Sequence, residues 1–321
     1  MQRDPTLRVP VDFNVWMVQR EARQHRHLIA GIPDYAFYLD LKIRRQLEAM
    51  GPLRAVAQAL NAGTVPIQRA LHEVQGVAVS PRQLPQVHAM GVACAERLGI
   101  GVPQIFIVQN PMMNAFTFAT SEVDQLVVLT SGLVQALDPA ELQFVIGHEC
   151  GHIHNRHVVY NTLWELLTNR VARELFRGAI SLLGPAAWVG QLLALAFTAA
   201  TLYTFGRWHR CAEITCDRAG LICSGDTEAA QRVNGKLHMG GLGNLDGFSA
   251  EEYRTQTRTY SKSWLRIMEL IQTHPPGPKR AQAMASFLRT DIFAEWRPEL
   301  RRDGPTVPLA EVDAELEKLI L

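Results

Sequence analysis

Two histidines four residues apart, His148 and His152, with Glu149 beside the first, constrain this chain more than any other feature. Side chains at i and i+4 stack on one face of an α-helix, so both imidazoles converge on one point only if 148–152 is helical. Imidazole and carboxylate ligands with an open coordination position suit zinc. A carboxylate at 149 then reaches a water held by the ion, the place of a general base. The helix is well signalled. Asp138-Pro139-Ala140-Glu141 supplies an N-cap, a Pro at the first helical position and a capping-box Glu. A helix started there runs through Phe144, Val145 and His148 to about His157.

The surrounding chain is that of a globular protein. Its 321 residues are enough for a sizeable core, and 47% apolar with 20% charged is ordinary composition. With 32 basic against 31 acidic residues, bulk charge argues against nucleic acid as a partner. The first residues lead into no apolar run, which predicts no secretory signal. Cys94, Cys150, Cys211, Cys216 and Cys223 include no C-x-x-C pair, as expected of reduced thiols in the cytoplasm.

Residues 1–31 read as a solvated basic arm, and Asp34 to Gln75 as helical, interrupted at Gly51-Pro52 and near Gly63. Gln83 to Leu98 follows as an amphipathic helix closed by Gly99 and Gly101. Pro103–Gln109, Asn114–Phe118 and Gln125–Leu129 read as strands, with turns at Asn110-Pro111 and Glu122 to Asp124, and Ser131–Leu137 as a short helix. Three regions are expected: a helical 1–80, a site-bearing 81–290 with an apolar insertion at 158–206, and a tail, 291–321.

A catalytic zinc needs a third protein ligand. A metzincin would place Gly at 155 and His at 158, where this chain has Asn155 and Val158. A gluzincin takes a Glu from a later helix, followed four residues on by an Asp that orients a histidine. Glu213 and Asp217 fit that spacing. On four blocks in order, Asn114-Ala115-Phe116, His148 to His152, Glu213 to Asp217, and Thr273-His274-Pro275-Pro276 with Arg280, the chain resembles the minigluzincin peptidases that include bacterial HtpX and the CAAX prenyl proteases. The resemblance spans roughly Gln83 to Leu288. It implies a zinc site of His148, His152 and Glu213, Glu149 as catalytic base, and Asn114-Ala115-Phe116 as an edge strand receiving extended protein or peptide substrate. It also implies an α+β, mostly helical minigluzincin core with a small sheet beside the H-E-x-x-H helix.

Other residues carry open readings. His274 is either a stabiliser of the oxyanion or a structural residue at a helix start. Asp217 is the expected acceptor for a metal-bound histidine. His154 and His157 lie off the ligand face of a continuous helix, and His209 has no assigned role. The family usually has Ala where Cys216 stands, and Cys150 is an uncommon filler; small inert substitution is the expectation for both, redox sensitivity the alternative.

Between the ligand blocks, 178–206 carries no charge and exceeds the roughly 20 residues that span a bilayer. Because His152 and Glu213 must meet, the intervening chain has to cross a membrane an even number of times. The one partner helix, Val158 to Arg177, carries Glu165, Arg170, Arg173, Glu174 and Arg177 and is a poor span. The stretch is therefore a hairpin broken at Gly184-Pro185, a plug over the site or an oligomer contact, in a cytoplasmic protein for which peripheral membrane association is the alternative. Beyond Asp217 the chain reads as helices: Thr227–Met239, a loop with Gly240, Gly241 and Gly243, then Ala250–Gln272 and Pro278–Leu288. Leu309–Ile320 reads as a solvated capping helix with Glu311, Asp313, Glu315 and Glu317 on its polar face. The expected function is zinc-dependent endopeptidase; the alternative is a latent or non-proteolytic zinc protein acting as scaffold or chaperone.

Overall fold

The computed structural model describes residues 27–29, 31–119, 125–161, 188–240, 248–256, 274–301 and 304–319. The basic arm at 1–26, the 122–124 turn, the helix expected beyond Asn161, the Gly184-Pro185 break, Gly241 and Gly243, and the 257–272 part of a later helix lie outside them.

A short hairpin, β1 (Leu28–Ile29) and β2 (Ile32–Pro33), leads into helices α1 (Tyr38–Ala49) and α2 (Gly51–Gln75). The break at Gly51-Pro52 is present, with the proline in the first turn where its missing N–H is tolerated. The one expected near Gly63 is not: α2 runs on through Gly63 and Pro66. Strand β3 (Gly76–Ala78) follows, then α3 (Pro85–Leu98), closed by Gly99 in the left-handed region at φ 73°.

Strands β4 (Gln104–Val108), β5 (Ala115–Ala119) and β6 (Gln125–Thr130) complete a four-stranded sheet of order β3-β4-β6-β5. The β4–β6 pair is parallel and the other two antiparallel, so β5 has a strand neighbour on one side only. Alternation along the strands divides the side chains. Ile105, Val127 and Leu129 join the main core, whereas Phe106, Leu126 and Val128 form a smaller cluster on the other face.

Helix α4 (Ser131–Ala136) leads into α5 (Pro139–His154). The capping box is formed: Asp138 accepts from the amides of Ala140 and Glu141, and Glu141 accepts from the amide of Asp138. Every residue from Leu142 to Ile153 is buried except Gln143, as befits a helix apolar nearly all round. Its neighbour is α6 (Trp188–Ser224), a single helix of 37 residues, about 55 Å long. Thus the apolar residues from Trp188 to Gly206 and the Glu213–Asp217 block, read separately in the sequence, are one continuous element. No helix among the described residues is long and apolar enough to cross a membrane.

The α5–α6 approach depends on missing side chains. A Cβ at Gly151 would stand 2.7 Å from the Cβ of Ala219, and one at Gly147 2.5 Å from that of Cys223. These two glycines, one turn apart, bring the backbone bearing Glu213 against the backbone bearing the histidines.

Helix α7 (Thr227–His238), α8 (Ala250–Thr255), α9 (Gly277–Phe287), α10 (Asp291–Trp296) and α11 (Leu309–Leu319) complete the described structure. The polar-face reading of α11 needs correction at one residue. Asp313 is buried, accepts from Arg218 Nη2 at 2.5 Å and from the amide of Tyr38 at 3.1 Å, and fastens α11 to α6 and α1. Val312 and Leu316 beside it enter the cluster of Phe37, Leu39, Trp208 and Ile214.

At the end of α5, His154 Nδ1 accepts from the hydroxyl of the fully buried Tyr35 at 3.0 Å. Burial, helped by His27, pushes its pKa from 6.5 down to about 3. Between those values the unfolded state binds the extra proton, so stability falls as pH falls from 6.5 towards 3, by up to about 1.4 kcal/mol per pH unit from this one group. Urea unfolding across that range should show the slope, and His154→Leu should flatten it; an unchanged slope would refute this account.

Candidate active site

Four buried residues on two helices make the centre. His148 and His152 project from α5 towards the Glu213 carboxylate on α6. His148 Nε2 is 3.7 Å from Glu213 Oε2, and His152 Nε2 is 3.5 Å from Glu213 Oε1. Ligands at 2.0–2.2 Å in a tetrahedron stand about 3.3–3.6 Å apart, so the three groups are spaced as the donors of one ion. On its other side His148 Nδ1 donates to Asp217 Oδ1 at 3.1 Å, which leaves Nε2 as the lone-pair nitrogen.

Arg280, on α9, secures the two carboxylates. Its Nε and Nη2 bond Asp217 at 2.8 and 2.6 Å, and its Nη1 lies 3.2 Å from Glu213 Oε2. Burial would raise the carboxyl of Glu213, yet His274 and Arg280 hold it well below the usual range. Burial likewise opposes the charge on Asp217, and Arg280 and His148 overcome it. For His152, burial pushes the pKa down and the carboxylate of Glu213 more than reverses the effect. Glu149, Glu213 and Asp217 are all buried, and Arg280 pairs the last two.

Glu149 faces the cleft from the same turn. Its Oε2 accepts from the hydroxyl of Thr117 on β5, which ties the carboxylate to the edge strand. A cleft of about 520 Å³ opens over these groups. Asn114, Ala115, Phe116 and Thr117 line one wall; Leu133, Phe144, Val145, Val233 and Leu237 provide an apolar part. His274 borders it with its side chain 58% exposed and Nδ1 3.0 Å from Glu213 Oε2. His209 stands beside it, ring centroids 5.3 Å apart. Among the described residues, the structure therefore brings Asn114, Ala115, Phe116, His148, Glu149, His152, Glu213, His274 and Arg280 to one cleft, with Asp217 behind His148; Thr273 lies outside the described residues.

Three it adds were invisible to motif reading. Thr117 is one. The others are His157 and Asp40. The expected helix to His157 stops at His154, and Arg156 adopts a left-handed φ of 57°. On a continuous helix residue 157 would lie about 140° around from 152. The turn instead folds it back, and its Nδ1 sits 3.3 Å from His152 Nδ1. Off the ligand face along a helix, it is behind a candidate ligand in space. Cys216 Sγ lies 3.4 Å from the same His157 nitrogen, and burial raises that thiol's pKa well above its ordinary value, as it does for Cys150. Both cysteines are held as neutral thiols.

A carboxylate beside a helix-borne histidine pair, a second carboxylate one helix away and an edge strand along the cleft are the arrangement expected of metal-dependent peptidases. The chain belongs to peptidase family M48, which residues 81–287 match. It is 33% identical over 267 residues to the plastoglobule-localized metallopeptidase 48, chloroplastic, of Arabidopsis thaliana, an alignment covering 80% of this chain and 73% of that protein. It is 26% identical over 223 residues to the protease HtpX homolog of Moorella thermoacetica, covering 63% and 72% respectively. Among solved structures, the crystal structure of S. mikatae Ste24p aligns over 85% of this chain and 67% of its own, at 17% identity and a TM-score of 0.48.

Proposed function

We propose that this metallopeptidase is a zinc-dependent endopeptidase in which His148, His152 and Glu213 hold the ion and Glu149 is the base. The observation that carries the reading is the pair of Nε2 atoms flanking the Glu213 carboxylate at 3.5 and 3.7 Å in a cleft bordered by an edge strand. When bound there, zinc would acidify a water and polarise the scissile carbonyl. Glu149, held by Thr117, takes a proton from the attacking water and returns it to the leaving amine. Main-chain groups of Asn114, Ala115 and Phe116 pair with an extended peptide, which makes affinity largely independent of substrate sequence. The wall of Leu133, Phe144, Val145, Val233 and Leu237 suits an apolar side chain near the scissile bond. His274, held at Nδ1 by Glu213 at 3.0 Å, would turn its Nε2 edge to the oxyanion. Asp217, fixed by Arg280, orients His148.

Location belongs to the same reading: a cytoplasmic protein, with peripheral membrane association through 178–206 as the alternative. Its support is the uncharged run itself and the plastoglobule in one relative's name.

The test is metal removal. Purified protein should carry about one zinc per chain, lose casein cleavage on chelation and regain it with zinc. A chain that holds no metal, or cleavage indifferent to chelation, would overturn the proposal.

A further inference from the structure

Asp40 lies on α1, outside the 81–287 stretch that matches the family, yet it is fully buried against the metal-site helices. A buried carboxylate needs donors, and Asp40 has three. His157 Nε2 donates to Oδ2 at 2.9 Å, the Thr215 hydroxyl to Oδ2 at 2.8 Å, and Trp208 Nε1 to Oδ1 at 3.0 Å. Trp208 and Thr215 stand on α6 on either side of Glu213. One carboxylate thus grips both the turn behind His152 and the helix that carries Glu213.

The chemistry of the imidazoles gives this contact a direction. An ionised carboxylate only accepts, so His157 carries its proton on Nε2 and presents a lone pair at Nδ1. Two groups able to donate face that lone pair: His152 Nδ1 at 3.3 Å and the Cys216 thiol at 3.4 Å. If His152 Nδ1–H is a donor, its Nε2 is bare and points at Glu213. We infer that Asp40 is a positioning residue for the metal: through His157 it fixes the tautomer of His152 and so holds Nε2 ready as a ligand. The inference rests on the proposed ligand role of His152. The two histidines are then oriented by separate carboxylates, His148 directly by Asp217 and His152 at one remove by Asp40. The first comes from the family-matched region and the second from the N-terminal segment.

Asp40→Asn preserves size but leaves one neutral acceptor oxygen for three donors. Turned with its N–H2 to His157, the amide favours the opposite tautomer, with Nδ1–H aimed at His152; turned with its N–H2 to Trp208, it still holds His157 more weakly than the charged carboxylate does. The relay then either breaks or drives the proton of His152 onto Nε2.

The experiment is zinc titration of the stripped full-length chain against a chromophoric chelator, with cobalt(II) absorption as a report on ligand geometry. Asp40→Asn should bind zinc about 10–100-fold more weakly than wild type and alter the cobalt spectrum. Asp313→Asn, which loosens the same α1–α6 packing through Arg218 and the Tyr38 amide without removing a bond to His157, is the control for general destabilisation and should stay within about threefold. Equal zinc affinity and an unchanged cobalt spectrum in Asp40→Asn would overturn the inference, as would an equal loss in Asp313→Asn. Long-range 1H–15N spectra of the wild type supply a measurement independent of any variant's folding. They should show His157 protonated at Nε2 and bare at Nδ1; the reverse tautomer overturns the inference. Failure of the site reading is distinct: the wild type would then bind no zinc, or His152→Ala would bind it as tightly.

Discussion

Glu149→Gln lowers peptide cleavage by at least about 10²–10⁴-fold while leaving zinc content and fold unchanged. The side chain is buried at the cleft floor, and its Oε2 accepts from Thr117. Glutamine matches glutamate in size, and its amide oxygen still accepts from that hydroxyl. What it loses is the ability to take a proton. The substitution therefore separates proton transfer from every positioning role of the residue. The measurement is the rate on casein or a quenched peptide beside zinc content for the same preparation. A rate within tenfold of wild type would remove Glu149 from the base position.

Arg280→Met has the largest effect on stability. Its guanidinium makes the two bonds to Asp217 and the contact to Glu213, and its side chain is 11% exposed. Methionine keeps much of the stem but strips two buried carboxylates of the guanidinium they share. Removing one partner of a buried pair costs about 3–5 kcal/mol, which for a chain of this size corresponds to a fall in Tm of roughly 4–7 °C. Arg280→Lys recovers only part, because an ammonium cannot fork across the Asp217 carboxylate. The double variant with Asp217→Asn should be more stable than Arg280→Met alone, since the amide removes one stranded charge. Thermal unfolding of the stripped proteins decides it. A Tm for Arg280→Met within about 2 °C of wild type would show that neither carboxylate depends on the guanidinium.

Local chemistry was legible where one element carries it. Asp138 and Glu141 announce the start of α5, and both act as a capping box because that motif involves only neighbours in sequence. The His148/His152 face follows from the helical repeat, and β5 emerges as an edge strand, as the family resemblance implied. The Asp313 error has the opposite cause. Its buried partner is Arg218, 95 residues away, and amphipathic patterning assigns a charge to solvent unless such a partner is known. His157 was misplaced for a third reason. A one-residue left-handed turn at Arg156, in a residue with no special preference for it, ends the periodicity from which its direction was inferred.

The sequence by itself determined the donor types, the helical spacing that pairs the two histidines, and the Glu213–Asp217 repeat, because each is a matter of residues within a turn or two. Only the tertiary structure decided how the centre is closed. Gly147 and Gly151 allow α6 to approach α5 at backbone distance and set Glu213 against both Nε2 atoms. Arg280 joins the carboxylates of Asp217 and Glu213, and Asp40, from the other end of the chain, joins His157 to α6, contacts that no spacing rule connects. Buried charge has to be paired wherever the fold brings it, and the partner is chosen by packing rather than by position in the chain.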